Sequence, residues 1–425
     1  MDLPTDLVTL ASDSDLNRLY HQEIHARLPT LGLPTTIAAG ASGHEAHHEA
    51  IHAQVGGGLP TNVVIGAAGH AGHHNIIHAA LNARPIPGPE PFPATSWPPA
   101  ATSSLTGVQT TQYRPDSQSN RKFDLKAYQD ATHAKWSNAP GTLQYPMVIN
   151  QSGGLGNGTN TWHFGGEIAG TDLTNDPRDV QYAHTSGIEH TGNSTAGYLV
   201  GDSLVVSNIG DGYRFVDKGV AYLKRIWARD LRDGFVEFDE LTGDAFIYDC
   251  LVEGCYSGIS DIGSGTNSAK TLTVDGLLLH LKPTVDTPQA QGGTWCGGTG
   301  GCNELNGVWS DGRYRGSNGI WEGDSGSYGT VIVRNSWFRL DRYSAWGPAP
   351  MMWPGQAGAQ WNNSATLTIG DNVKVLWTGM DRSFNPTSAA YPGPTLPAGI
   401  TLVTGSAALS MWNAAAAAWK TAHGY

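Results

Sequence analysis

The feature that most restricts what this chain can fold into is a turn signal that returns at an almost fixed interval. A small polar residue, a Gly and an apolar residue recur as Ser186-Gly187-Ile188, Asp211-Gly212-Tyr213, Asp233-Gly234-Phe235 and Ser257-Gly258-Ile259, at intervals of 25, 22 and 24 residues. Asn318-Gly319-Ile320 follows 61 residues later, room for two or three repeats plus a glycine-rich excursion near 288–303. Gly at the centre permits a positive φ in the turn, and the apolar residue after it is expected to point inward in every repeat. A second strand keeps the same register: Ile226-Trp227-Ala228 stands 24 residues before Cys250-Leu251-Val252. Val331-Ile332-Val333 and Leu367-Thr368-Ile369 read as later strands of the same kind. A sandwich would show hairpin turns without a constant repeat length. Short β-branched strands at a period near 24 instead predict a solenoid, in which each coil contacts only its neighbours and the ends need caps.

Composition agrees. The 425 residues include 55 Gly and 24 Pro with only 15% charged side chains, which favours strands and turns over a helical bundle. The length predicts two or more domains. A net charge of −12 without a basic run argues against a nucleic-acid surface. No stretch reaches the ~20 apolar residues of a membrane span. The acidic start, Met1-Asp2-Leu3-Pro4-Thr5-Asp6, does not read as a secretory signal.

Upstream of the coils lies a different repeat. Residues 33–53 and 59–79 match with a period of 26, and a degenerate copy precedes them with Leu3-Pro4-Thr5 and His21-Gln22-Glu23-Ile24-His25-Ala26. Each unit reads as an extended segment opened by Pro, then a helix of about three turns. His44, His48 and His52 fall at i, i+4 and i+8 on one helix face, as do His70, His74 and His78. Paired His at this spacing can hold a transition metal, completed across a trimer axis. Alternatively, the rings pack between helices and bond to backbone carbonyls. No other cofactor is expected.

The string Gly-His-x-x-His-His-x-x-Ile-His-Ala, at 43–53 and 69–79, resembles a motif near the N-termini of minor tail proteins of actinobacteriophages. The resemblance is specific over residues 33–83 and architectural beyond. It implies a tail-tip location in the virion, other tail proteins as partners, and a receptor-facing region downstream. The later repeats resemble the pectate-lyase-like β-helix of phage tailspikes, a likeness of fold that carries no catalytic motif. Together they give the expected architecture: mainly β, a right-handed parallel β-helix preceded by small strand-helix repeats.

The expected organisation is His-rich repeats over 1–83, a Pro-rich linker or surface strap over 84–118, the β-helix over 119–390, and a C-terminal cap over 391–425. Leu409, Trp412 and Trp419 on a helix over 406–420 would form the cap or a trimer contact. Of the four cysteines, Cys250 and Cys255 read as small core residues. Cys296 and Cys302 flank a glycine-rich loop whose geometry allows a disulfide.

Two kinds of residue are candidates for chemistry. Aligning the repeats on the apolar turn residue puts His190, Phe215, Glu237, Asp261 and Glu322 on one ladder, with Glu237 and Asp261 facing each other across one coil. Adjacent carboxylates suit a glycosidase, and like charges raise one pKa as a general acid needs; polar ladders of this kind also serve simply as solvated faces. Trp295, Trp309, Trp346 and Trp353 lie in loops, where flat rings either stack on sugars or cover a core.

The expected function is adhesion to a host envelope glycan as a homotrimeric virion component, without nucleic-acid or membrane partners. The alternative is a tail depolymerase, a hydrolase or lyase of envelope polysaccharide. A cellular pectate-lyase-like enzyme is a third reading, against which the His repeats and the acidic start count. No Ser-His-Asp order, phosphate loop or nucleotide fingerprint is present.

Overall fold

In the computed structural model, the structure describes residues 84–88, 90, 161–170, 187–191, 198–261, 269–282, 284–285, 315–316, 319–323, 326–341, 351–380, 386 and 390–425, apart from 217, 218, 232, 240, 242 and 360. It also describes the backbone of strands at 101–104, 108–109, 121–124, 135–138 and 147–149. The His repeats, Trp295, Trp309, Trp346, Cys296 and Cys302 lie outside the described residues. The chain divides into two compact units, one of residues 93–409 and one of residues 1–92 with 410–425.

Among the described residues, the larger unit is built from three sheets of parallel strands, of nine, ten and six members. From Thr161–Phe164 to Trp337–Leu340 the chain visits them in a fixed order; after that, among the described residues, it skips the third sheet, and Val373–Trp377 and Ile400–Thr404 both lie in the second. Tyr198–Asp202 lies in the first sheet, Val205–Ser207 in the second and Tyr213–Val216 in the third. The next passage repeats the order with Val220–Lys224, Trp227–Arg229 and Gly234–Glu237, and the one after with Ala245–Tyr248, Leu251–Cys255 and Ser257–Asp261. The expected 24-residue register of the second strand holds: Trp227 pairs with Leu251 and Ala228 with Val252. Val331 and Leu367 are also direct partners.

Each strand turns one row of side chains inward. In the second sheet that row is Ile168, Val206, Ala228, Val252, Leu279, Phe338 and Val375, all in the apolar core. The corner between the first and second sheets is made by a residue in the left-handed region: Ser203, Arg225, Asp249, Gly276 and Asn335 in successive passages. The residue after each corner is buried, as Leu204, Ile226, Cys250, Leu277 and Ser336. Cys250 and Cys255 are free, buried thiols within this core, as their apolar neighbours suggested.

Several passages are longer than the regular ones, Thr161 to Leu199 and Thr330 to Thr366 among them, and the longest runs from Thr271 to Thr330. After Leu278–Leu281 the chain leaves the ladder and returns at Trp321–Gly323, and the base of this excursion is an antiparallel pair, Thr284 with Gly316 and Val285 with Arg315.

The ladder overruns both expected boundaries. Ala101–Ser104 and Val108–Gln109 are already sheet strands inside the stretch read as linker. Ile400–Thr404 pairs with Val373–Trp377 beyond residue 390. The C-terminal helix runs over Gly405–Ala422 with Ala408, Trp412, Ala415, Ala416 and Trp419 buried along it. No helix among the described residues is long and apolar enough to cross a membrane.

The alignment on Gly fails in the third sheet by one residue. Ile188 pairs with Tyr213, but Tyr213 pairs with Val236 rather than Phe235, and Ile259 with Trp321 rather than Ile320. Gly212 N–H donates to the Gly234 carbonyl, and the Asp233 carbonyl accepts from both Tyr256 and Ser257. In these passages the pairing is offset by one residue relative to the Gly, so that Gly234 pairs with Ser257 rather than Gly258, a bulge-like offset. Gly258 therefore lies against Ile320, whose carbonyl oxygen would be 2.4 Å from an added Cβ. Gly258→Ala is expected to lose about 1–3 kcal/mol in urea unfolding; an unchanged midpoint would mean that this register is wrong.

Candidate carboxylate site

The corrected register rearranges the expected polar ladder. Glu237 pairs with Arg214 on one side and Ser260 on the other, and Ser260 pairs with Glu322. The row therefore runs Glu189, Arg214, Glu237, Ser260, Glu322. Phe215 and Asp261 belong to the adjacent row, with opposite facing, because neighbouring positions in a strand point to opposite sides; His190 is the backbone partner of Phe215. Glu237 and Asp261 do not face each other.

Asp261 is fully buried and structural. One of its carboxylate oxygens accepts from the Tyr328 N–H at 3.0 Å, and its carbonyl accepts from the Ser327 hydroxyl at 2.8 Å. Glu322 is half-buried and accepts from the Ser257 hydroxyl at 2.8 Å. Phe215 lies in the core, stacked between Tyr213 and Phe238. Trp353 is also core rather than a sugar platform. It is 0% exposed, with its ring 5.5 Å from Trp321 and 5.4 Å from Phe338, so it covers the interior as loop tryptophans often do.

Glu237 instead meets two aspartates that the sequence presented as turn punctuation. Asp211, Asp233 and Glu237 each offer a carboxylate oxygen within 4.8 Å of the others. Asp211 and Asp233 are buried, while the Glu237 side chain keeps 16% of its surface. The fold brings them together because Asp211 and Asp233 precede third-sheet strands in successive passages. Glu237 lies three residues beyond Gly234, whose missing side chain leaves space: a Cβ there would touch Glu237 Cγ at 3.6 Å and Asp211 Oδ1 at 3.5 Å. Asp211 also accepts from the Gly234 N–H at 3.0 Å. The detectable signal was the Asp-Gly dipeptide recurring 22 residues on, which in a parallel ladder stacks carboxylates one strand apart.

Arg214 is the cation paired with this group. It lies 3.3 Å from Glu237 and 3.0 Å from Asp239. It does not offset the rest. Burial first, then the charges of Asp211, Asp239 and Asp233, push the Glu237 carboxyl up to about 10, with Arg214 opposing. At neutral pH Glu237 is thus a carboxylic acid among carboxylates, able to donate a proton or to exchange it for a cation.

A second buried polar cluster is different in kind. Asp341 accepts from His280 Nε2 at 2.6 Å, from Arg339 Nε at 2.7 Å and from Thr378 Oγ1 at 2.7 Å. Burial opposes ionisation of Asp341, but His280 and Arg339 outweigh it and hold the carboxyl well below its usual range. Burial also lowers the His280 pKa despite Asp341. Hydroxyl and imidazole bond the same carboxylate rather than each other, which is not the order of a nucleophilic triad. This is a structural clamp across neighbouring strands.

No protein-family profile, curated protein or solved structure matches the chain.

The two clusters predict opposite responses. Because the folded-state pKa of Glu237 is raised, its contribution to stability is fully present below its unfolded value and is lost as pH rises toward about 10. Glu237→Gln should flatten that loss and raise the melting temperature by a few degrees at pH 8 in EDTA. Asp341→Asn leaves a buried guanidinium without its partner and should cost about 3–5 kcal/mol, read as a lower urea midpoint at pH 7.

Proposed function

We propose that this chain is a minor tail protein of a phage virion, at the tail tip, that adheres to an envelope glycan of an actinobacterial host. The observation that carries the reading is the ladder of parallel strands in three sheets, visited in fixed order from Thr161–Phe164 to Trp337–Leu340. Such a ladder pairs each strand with the next and gives a stiff scaffold from which excursions can project, the arrangement in which loops commonly carry binding. The excursion closed at its base by Thr284–Val285 and Arg315–Gly316 is of this type, and Trp295 and Trp309 belong to it by sequence. We read the coil as a right-handed parallel β-helix of the pectate-lyase kind, since parallel strands joined by crossovers take that hand almost without exception. The His-rich repeats supply the tail resemblance, with other tail proteins as neighbours and a homotrimer as the assembly.

The second reading is a depolymerase of envelope polysaccharide. It is favoured by one feature, the partly accessible Glu237 carboxyl beside those of Asp211 and Asp233, with its pKa raised by burial and by their charges.

Incubating the purified full chain with host envelope glycans, while measuring both retention and new reducing or unsaturated ends, separates them. Retention without new ends is expected for the adhesin, and new ends that vanish in Glu237→Gln for the depolymerase. Neither retention nor cleavage would overturn both.

A further inference from the structure

We propose that Asp211, Asp233 and Glu237, with Ser260 beside them, form a binding site for one hard divalent cation of the calcium class. The inference is independent of any role in a virion.

The geometry fits such an ion. Calcium binds oxygen ligands at about 2.3–2.6 Å, so two oxygens on one ion stand no more than roughly 5 Å apart. The three carboxylates meet this condition pairwise, at 4.8 Å or less. All the donors are oxygen, with no His or Cys among them, which favours hard cations over zinc or copper. Glu237 retains partial exposure, which gives an ion a route in.

A second observation comes from the neighbouring strand. Ser260 is the in-register partner of Glu237, so its side chain leaves the same face of the sheet. It is 2% exposed, and its hydroxyl oxygen has no hydrogen-bond partner. A buried hydroxyl without a partner costs about 1–3 kcal/mol. A cation held by Glu237 would give it one, directly or through a bound water.

The test is calorimetric titration of the full chain, stripped with EDTA, with calcium chloride at pH 8 and 0.15 M NaCl. One saturable site is expected. Asp233→Asn and Glu237→Gln should each weaken binding at least tenfold, and Ser260→Ala severalfold. Melting temperature guards against misfolding: Glu237→Gln should melt higher than wild type in EDTA yet lose the calcium-dependent rise. No saturable binding, or wild-type affinity in both carboxylate variants, overturns the proposal. An unchanged affinity in Ser260→Ala removes Ser260 from the site.

Discussion

The fold depends on one constraint, the parallel backbone ladder that pairs each strand with its equivalent in the next passage. Buried N–H and C=O groups must find partners, and here most find them in the neighbouring passage rather than in the same one. The chain must therefore return to the same sheet, in the same direction, about every 22–27 residues through the regular stretch, as Ala221 to Ala245 and Ala245 to Leu272 illustrate. Once that return is fixed, equal positions stack, and any residue type repeated at the interval becomes a row. The apolar rows fill the interior. The rows facing outward decide the chemistry.

The corners make the return possible. A single left-handed residue between the first two sheets turns the chain in passage after passage, supplied by Ser, Arg, Asp, Gly or Asn. Asn, Asp and Gly tolerate this conformation; Arg225 does not usually, and its guanidinium is held by two hydrogen bonds to Asp202, at 2.9 and 2.7 Å. The corner there is secured by the neighbouring passage rather than by local preference. The same device appears at Asn335, whose side chain donates to Asp275.

The polar clusters show two ways to place carboxylates in such a ladder. Asp341 is surrounded by donors on neighbouring strands and remains ionised although buried. Asp211, Asp233 and Glu237 bring three carboxyl groups within 4.8 Å of one another, and burial with the neighbouring charges holds the Glu237 carboxyl above its usual range. The first arrangement ties a carboxylate into the fold. The second gathers carboxyl groups at one place, the property from which a cation site or an acid catalyst can be made.

Much of the architecture was legible in the sequence. The interval near 24 predicted the parallel ladder and the Trp227–Leu251 register, because a period of strands and turns is a local property of the chain; the strands at 331–333 and 367–369 were legible in their own residues, and the terminal helix in the spacing of Leu409, Trp412 and Trp419. The boundaries were less so: Ala101–Ser104 looked like linker since its partner, Arg121–Asp124, is not marked by the same Gly turn. Trp353 was ambiguous, because sequence cannot distinguish a ring over the core from a ring in a binding loop. The carboxylate site depended on register to a single residue. Glycines at 234 and 319 suggested equal turns, but the pairing is shifted by one residue relative to those glycines. A slip of one reverses the facing of every side chain, so Asp261 passed to a buried structural role and Ser260 came to stand beside Glu237. The sequence by itself determined that strands recur and which rows are apolar. Which carboxylates meet was decided only by the tertiary structure, because the hydrogen bonds that set register run between residues more than twenty positions apart.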